Sequence, residues 1–342
     1  MYFAAVLLAI VVHESGHLLA GWSVGFRFKV VSIGPFCLKI EHGRLKVQAR
    51  AVLVGAAGYA GMHIETVRRL RHRLLIFVSG GPAANLLSAG LSFCLRTYIL
   101  FPHQQGWVPI FASLFEGISL IFGVMNIVPF SAGALVSDGA RIRMLLCSRV
   151  RARRWMSITA VTNQSRNGVP AKQVKQTWLC AASSLHDNSI DDFPGNWAAY
   201  VGASGRKDNP LAALHLERCL EMISLAVAST QDLVTLEAAV YTAWFRRNPA
   251  TAQSWLNQVR KFKLIPPVLR IRADVALRGA RKEFESALSR SQDGLALIEK
   301  LPASPTKTTL REGWMEWQAE IRQREAEESL LSPTNRSGRS PA

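Results

Sequence analysis

The sequence predicts a mainly α, polytopic membrane protein: a three-span core with a small β-hairpin insertion, followed by a cytosolic helical domain of α-solenoid or tetratricopeptide-like type. Three observations predict it. The 342 residues contain three long apolar runs, all before residue 138. The charges are split unevenly along the chain, and the loops between the runs differ in basic content. Mean hydropathy is +0.12 although the formal net charge is +17. Ordinary basic proteins that bind nucleic acid are polar, so an apolar part and a basic part must be averaged here. Five scattered cysteines without C-x-x-C spacing exclude a disulfide scaffold.

The expected membrane core covers residues 1–145. A helix needs about 20 apolar residues to cross a bilayer. Residues 1–25, 74–100 and 107–130 meet that length, and Glu116 is the sole charge in the third run. A cleaved signal peptide would want a basic n-region, and no Lys or Arg precedes Arg27. The loop 26–73 carries ten Lys/Arg, residues 101–106 carry none, and six arginines lie between 141 and 154. Basic loops stay cytoplasmic. The N-terminus is therefore expected outside, with residues 26–73 and everything after about 140 inside. A bacterial cytoplasmic membrane is the expected location.

In the loop 26–73, Cys37–Glu41 and Arg44–Leu53 alternate apolar and polar residues around His42-Gly43, which suggests a hairpin. Residues 51–64 are too short to span, and Gly55 and Gly58 would let another backbone approach closely. Residues 150–324 read as soluble helices separated by Pro/Gly breaks, without a strict 34-residue period. They are the expected site of a regulatory protein partner. Residues 325–342 read as a disordered tail. The basic segment 141–154 suits anionic lipid rather than nucleic acid.

The first run contains His13-Glu14-Ser15-Gly16-His17, an H-E-x-x-H motif. On a helix, positions i and i+4 share a face, so both imidazoles can meet one metal ion, with the Glu as general base. Polar groups inside an apolar helix are costly unless they face partners or water. A catalytic zinc takes three protein ligands, so a third must come from another element. His13 lies about 18 Å along its helix, on the cytoplasmic side of the midplane. Asp138, just past the third run, is at the matching depth. Its alternative role is the N-cap of a helix over Gly139–Cys147. Glu116 ranks second as a third ligand.

These residues resemble the site-2 protease family of intramembrane zinc metalloproteases. Three blocks carry the likeness: His13–His17, then Gly80-Gly81-Pro82-Ala83-Ala84-Asn85, then Asn126-Ile127-Val128-Pro129 followed by Asp138-Gly139. The resemblance implies Zn2+ held by His13, His17 and Asp138, with Glu14 as the catalytic base. It implies Asn126 and Pro129 beside the metal, and Asn85 as a lining residue. It also implies a membrane-associated sheet that pairs with an unwound substrate, a membrane-anchored protein. One departure stands out. Asp138 lies twelve positions after Asn126, where the family usually has about eight. A catalytically inactive membrane adaptor that uses its helical domain as a scaffold is the alternative this spacing leaves open.

Overall fold

The computed structural model describes residues 1–41, 44–49, 58–100, 106–132, 135–226 and 228–331. It divides into two compact units, residues 1–163 and 164–342.

The first unit is built on three helices long and apolar enough to cross a membrane: α1 (Tyr2–Ser23), α2 (Leu70–Cys94, continued by a π-helical segment Leu95–Leu100) and α3 (Trp107–Ile127). Large apolar side chains such as Phe3, Trp22, Leu87, Leu91, Ile121 and Met125 face outward, as a lipid-facing surface requires. α1 and α2 cross at Gly16 and Gly80. A Cβ on Gly16 would lie 2.3 Å from the Gly80 carbonyl oxygen, and one on Gly80 would lie 2.4 Å from the Gly16 oxygen. Small residues at such a crossing let apolar helices pack by backbone approach.

α2 starts four residues earlier than its apolar run, so Arg71 and Arg73 lie in the helix rather than in the loop. Both cap other helices. Arg71 donates to the Leu145 and Leu146 carbonyls, and Arg73 to those of Val24 and Gly25. Orphan carbonyls at the ends of helices are thereby satisfied by cations, which also suit the negative end of the helix dipole.

Between α1 and α2 lies a four-stranded antiparallel sheet rather than a single hairpin. Its strands are β1 (Phe26–Ile33), β2 (Phe36–Glu41), β3 (Arg44–Ala49) and β4 (Gly58–Ile64), in the order β3-β2-β1-β4. β2 and β3 form the expected hairpin, with Glu41 opposite Arg44. The turn His42-Gly43, Gly55 and the rest of residues 50–57 lie outside the described residues. β1 and β4 escaped the sequence reading because β1 mixes Arg and Lys with apolar residues and β4 is rich in glycine and alanine. Their pairing is non-local, with Ile33 opposite Gly58 and Phe26 opposite Ile64. Among the described residues β4 is an edge strand.

After α3 a two-stranded hairpin, β5 (Ser131–Ala132) and β6 (Leu135–Val136), leads into α4 (Asp138–Cys147) and α5 (Arg149–Arg166).

The second unit holds α6 (Gln176–Ala182), α7 (Asp192–Gly205), α8 (Asn209–Glu221), α9 (Ala228–Trp244), α10 (Pro249–Asn257), α11 (Pro267–Ala280), α12 (Phe284–Glu299) and α13 (Pro305–Leu331). The pairs α7/α8, α9/α10 and α11/α12 are joined by one kind of turn: Arg206-Lys207-Asp208, Arg246-Arg247-Asn248 and Arg281-Lys282-Glu283. The middle residue of each is left-handed, with φ of 61°, 51° and 64°. Asp208 and Asn248 then cap the next helix by accepting from Leu211 N and Thr251 N. The turns recur 40 and 35 residues apart, so unequal helix lengths hid the repetition from a search for a fixed period. The core packs Leu236, Val240 and Trp244 of α9 with Ile271 and Val275 of α11, Ile298 of α12 and Trp314 and Ile321 of α13. Residues 325–331, expected to be disordered, form the last two turns of α13, where Glu328 pairs with Lys282. High charge content suggested solvation without structure, but this helix is anchored by its Trp314 and Ile321 face.

Candidate metal centre

α1 presents His13 and His17 on one face, as the four-residue spacing requires, and both are buried. Their rings meet edge to face at 4.8 Å between centroids. Asp138 reaches both: its Oδ2 lies 3.1 Å from His13 Nε2 and 3.4 Å from His17 Nε2. The two Nε2 atoms are 3.2 Å apart. A tetrahedral zinc with bonds of about 2.0–2.1 Å needs its donor atoms about 3.3 Å apart. Two imidazole nitrogens and one carboxylate oxygen at these separations fit that requirement in both chemistry and size. Among the described residues this is the group of three donors that could hold a metal ion.

α2 is cut to match. Phe77, Gly81 and Asn85 recur every fourth residue and so form one row on this helix. The Phe77 carbonyl accepts from His17 Nδ1 at 2.8 Å, so that a neutral ring turns an unprotonated Nε2 toward Asp138. A Cβ on Gly81 would lie 2.4 Å from His17 Nε2 and 2.7 Å from His13 Nε2. Only glycine leaves that space open. Asn85, fully buried, places Nδ2 3.3 Å from His13 Nδ1.

Asp138 is held by its neighbours. Ser137, not Asp138, is the N-cap of α4. The Ser137 hydroxyl donates to the Val128 carbonyl and accepts from the Phe130 and Ala140 amides. Asp138 is thus the first residue of the helix, with its carboxylate free of capping duty. Gly139 lets α4 press on the end of α3, since a Cβ there would lie 1.8 Å from the Ile127 carbonyl oxygen. The residues beyond the usual family spacing go into the β5–β6 hairpin, which Ser137 closes at its base.

Glu14 is buried one position along from His13 and interacts electrostatically with His17, His13 and Asp138. The edge strand β4 begins beside it: a Cβ on Gly58 would lie 2.2 Å from Glu14 Oε1. The other expected residues have contacts of their own. Asn126 donates its Nδ2 to the Phe122 carbonyl of its own helix, and Pro129 is exposed in the link to β5. Glu116 is held by Arg96 through two bonds of 3.1 and 3.4 Å, which engages it at the α2–α3 contact. Sequence reasoning missed Gly81, Ser137 and the Phe77 carbonyl. The four-residue spacing of Phe77, Gly81 and Asn85, which matches that of His13 and His17, was the available signal.

Residues 1–102 match the model of Peptidase family M50. The match supports membership of this N-terminal part in that family, the site-2 proteases, whose members are intramembrane metalloproteases. The match ends before Asp138, so the assignment of the third donor rests on the geometry above. Neither the search of curated proteins nor that of solved structures returned a match.

Proposed function

We propose that this protein is an intramembrane zinc metalloprotease that hydrolyses a peptide bond in or near the transmembrane segment of a membrane-anchored protein, in regulated proteolysis. The donor triad His13, His17 and Asp138 at tetrahedral spacing carries the reading. These three side chains would hold the ion. When bound, zinc supplies Lewis acidity, polarising the scissile carbonyl and easing deprotonation of a water. Glu14 takes that proton on its carboxylate and passes it to the nitrogen of the leaving peptide. The β4 edge, which starts at Glu14, supports substrate alignment: an edge strand among the described residues can receive an unwound segment by strand addition, with its far end, Ile64 N and O, taken by Asn163. A lipid environment favours intact helices, so a backbone partner beside the base offsets the cost of unwinding.

The basic residues of loop 26–73 and of 141–154 support a topology with the N-terminus outside and the second unit in the cytosol. Exposed Arg143, Arg149 and Arg153 alternate with exposed Leu146 and Val150, a composition that suits the headgroup layer of an anionic leaflet. The three similarly turned helical hairpins support a solenoid-like scaffold for a regulatory protein. No observation favours the inactive adaptor.

The test compares membranes from cells expressing the wild type and Glu14→Gln. Purified wild-type protein and Glu14→Gln should each carry about one zinc, and His13→Ala and Asp138→Ala should lose it. Neo-termini of membrane-anchored proteins seen with the wild type should vanish with Glu14→Gln. A wild-type protein without zinc, or cleavage that persists in Glu14→Gln, would reject the reading.

A further inference from the structure

A neutral imidazole carries one N–H, so a histidine that gives Nε2 to a metal must keep its proton on Nδ1. His17 meets this demand through the Phe77 carbonyl, which can only accept. Among the described residues no backbone carbonyl is hydrogen-bonded to His13. What faces its Nδ1 is the carboxamide of Asn85, one helical turn beyond Gly81 on the same face of α2. Asn85 is fully buried, on a helix whose other buried residues include Val78 and Ala89, and its Oδ1 has no hydrogen-bond partner among the described residues. Buried polar side chains in apolar helices are normally partnered. Half a turn of the amide about its last bond exchanges Nδ2 and Oδ1 without moving any other atom. Either orientation leaves one end of the amide without a protein partner, so the needs of the imidazole decide between them.

We infer that Asn85 is a positioning residue for His13: its Oδ1 accepts a hydrogen bond from Nδ1–H, which fixes the ring orientation and keeps the Nε2 lone pair directed at the ion. The inference rests on the zinc reading above. The α2 row then has a complete logic. Phe77 sets the tautomer of His17, Gly81 leaves room between the two Nε2 atoms, and Asn85 sets the tautomer of His13. Hydrogen bonds of this kind to metal-bound histidines are worth about 10- to 100-fold in metal affinity.

The experiment uses purified full-length protein and zinc competition against a chromophoric chelator. Asn85→Leu, similar in size but without an acceptor, should lower zinc affinity by about 10- to 100-fold. Asn85→Asp keeps an acceptor oxygen at the same place and should hold affinity within a few-fold of wild type. Independently, nitrogen NMR of histidine-labelled, zinc-loaded wild type should show His13 protonated at Nδ1. Wild-type affinity in Asn85→Leu, a loss in Asn85→Asp as large as in Asn85→Leu, or a His13 protonated at Nε2 would each overturn the assignment. The NMR reading stands even if Asn85→Leu fails to fold, because it needs no variant. Failure of the underlying reading looks different: the wild type itself would bind no zinc.

Discussion

The α-carbon of Gly81 faces the gap between the Nε2 atoms of His13 and His17, so that a methyl group there would sit 2.4 Å from one and 2.7 Å from the other. A residue on α2 thus defines the space in which two side chains of α1 can share an ion. Gly81→Ala should abolish stoichiometric zinc binding while leaving the protein in the membrane. Gly90→Ala, on the same helix with open space around its α-carbon, is the control and should bind zinc normally. Metal analysis of the two purified variants checks this, and equal zinc contents would refute it.

Ser137 anchors Asp138. Its hydroxyl joins the end of α3, the base of the β5–β6 hairpin and the first turn of α4. Loss of an N-cap hydroxyl costs about 1 kcal/mol, with a range of about 0.5–2. If that cost appears wholly as disorder of Asp138, zinc affinity of Ser137→Ala falls about fivefold, since about 1.4 kcal/mol is tenfold. Ser137→Thr keeps the hydroxyl and should recover most of the loss. Chelator competition on the three proteins measures it.

Gly58 separates metal binding from catalysis. An added methyl would collide with Glu14 Oε1, not with the imidazoles. Gly58→Ala should keep its zinc and lose cleavage, by up to the factor of about 10²–10⁴ that a general base supplies. Zinc content and cleavage measured on one preparation decide it. Loss of zinc from this variant would mean that the strain spreads into the triad.

The second unit offers a test of packing without reference to activity. Burial pushes the Cys219 thiol up to about 12, with the nearby Asp192 carboxylate adding to the shift and Arg218 opposing it. The thiolate is the reactive form, and at pH 8 it is about one part in ten thousand of such a thiol. A maleimide should label exposed Cys180 and spare Cys219 in the folded protein. Raising the pH to 9 should not change that. Denaturation should expose Cys219 to labelling, and mass spectrometry of the modified peptides reads the result. Labelling of Cys219 in the folded protein at a rate like that of Cys180 would show that this core is open.

How far the sequence reached depended on how local the signal was. The three apolar helices follow from composition alone, because crossing a bilayer sets a length and a polarity that few other segments satisfy. Their ends were less legible: Arg71 and Arg73 read as loop charges and turned out to cap the ends of α4 and α1. β2–β3 showed its alternation, whereas β1 and β4 pair across about 30 residues and carry no local mark of it.

By itself the sequence determined that His13 and His17 would share a helix face with Glu14 beside them, because helical periodicity is a property of the chain. It ranked Asp138 ahead of Glu116, and a ligand ahead of a cap for Asp138, without any geometry to show how these side chains are engaged. That geometry comes from the tertiary structure. Arg96 engages Glu116, Ser137 takes the capping role, and a hairpin folds out so that one carboxylate oxygen comes within 3.4 Å of both imidazoles. The reason is geometric: a metal-sized hole is bounded by donors from helices far apart in sequence, and its diameter is set by how closely glycine lets those helices approach.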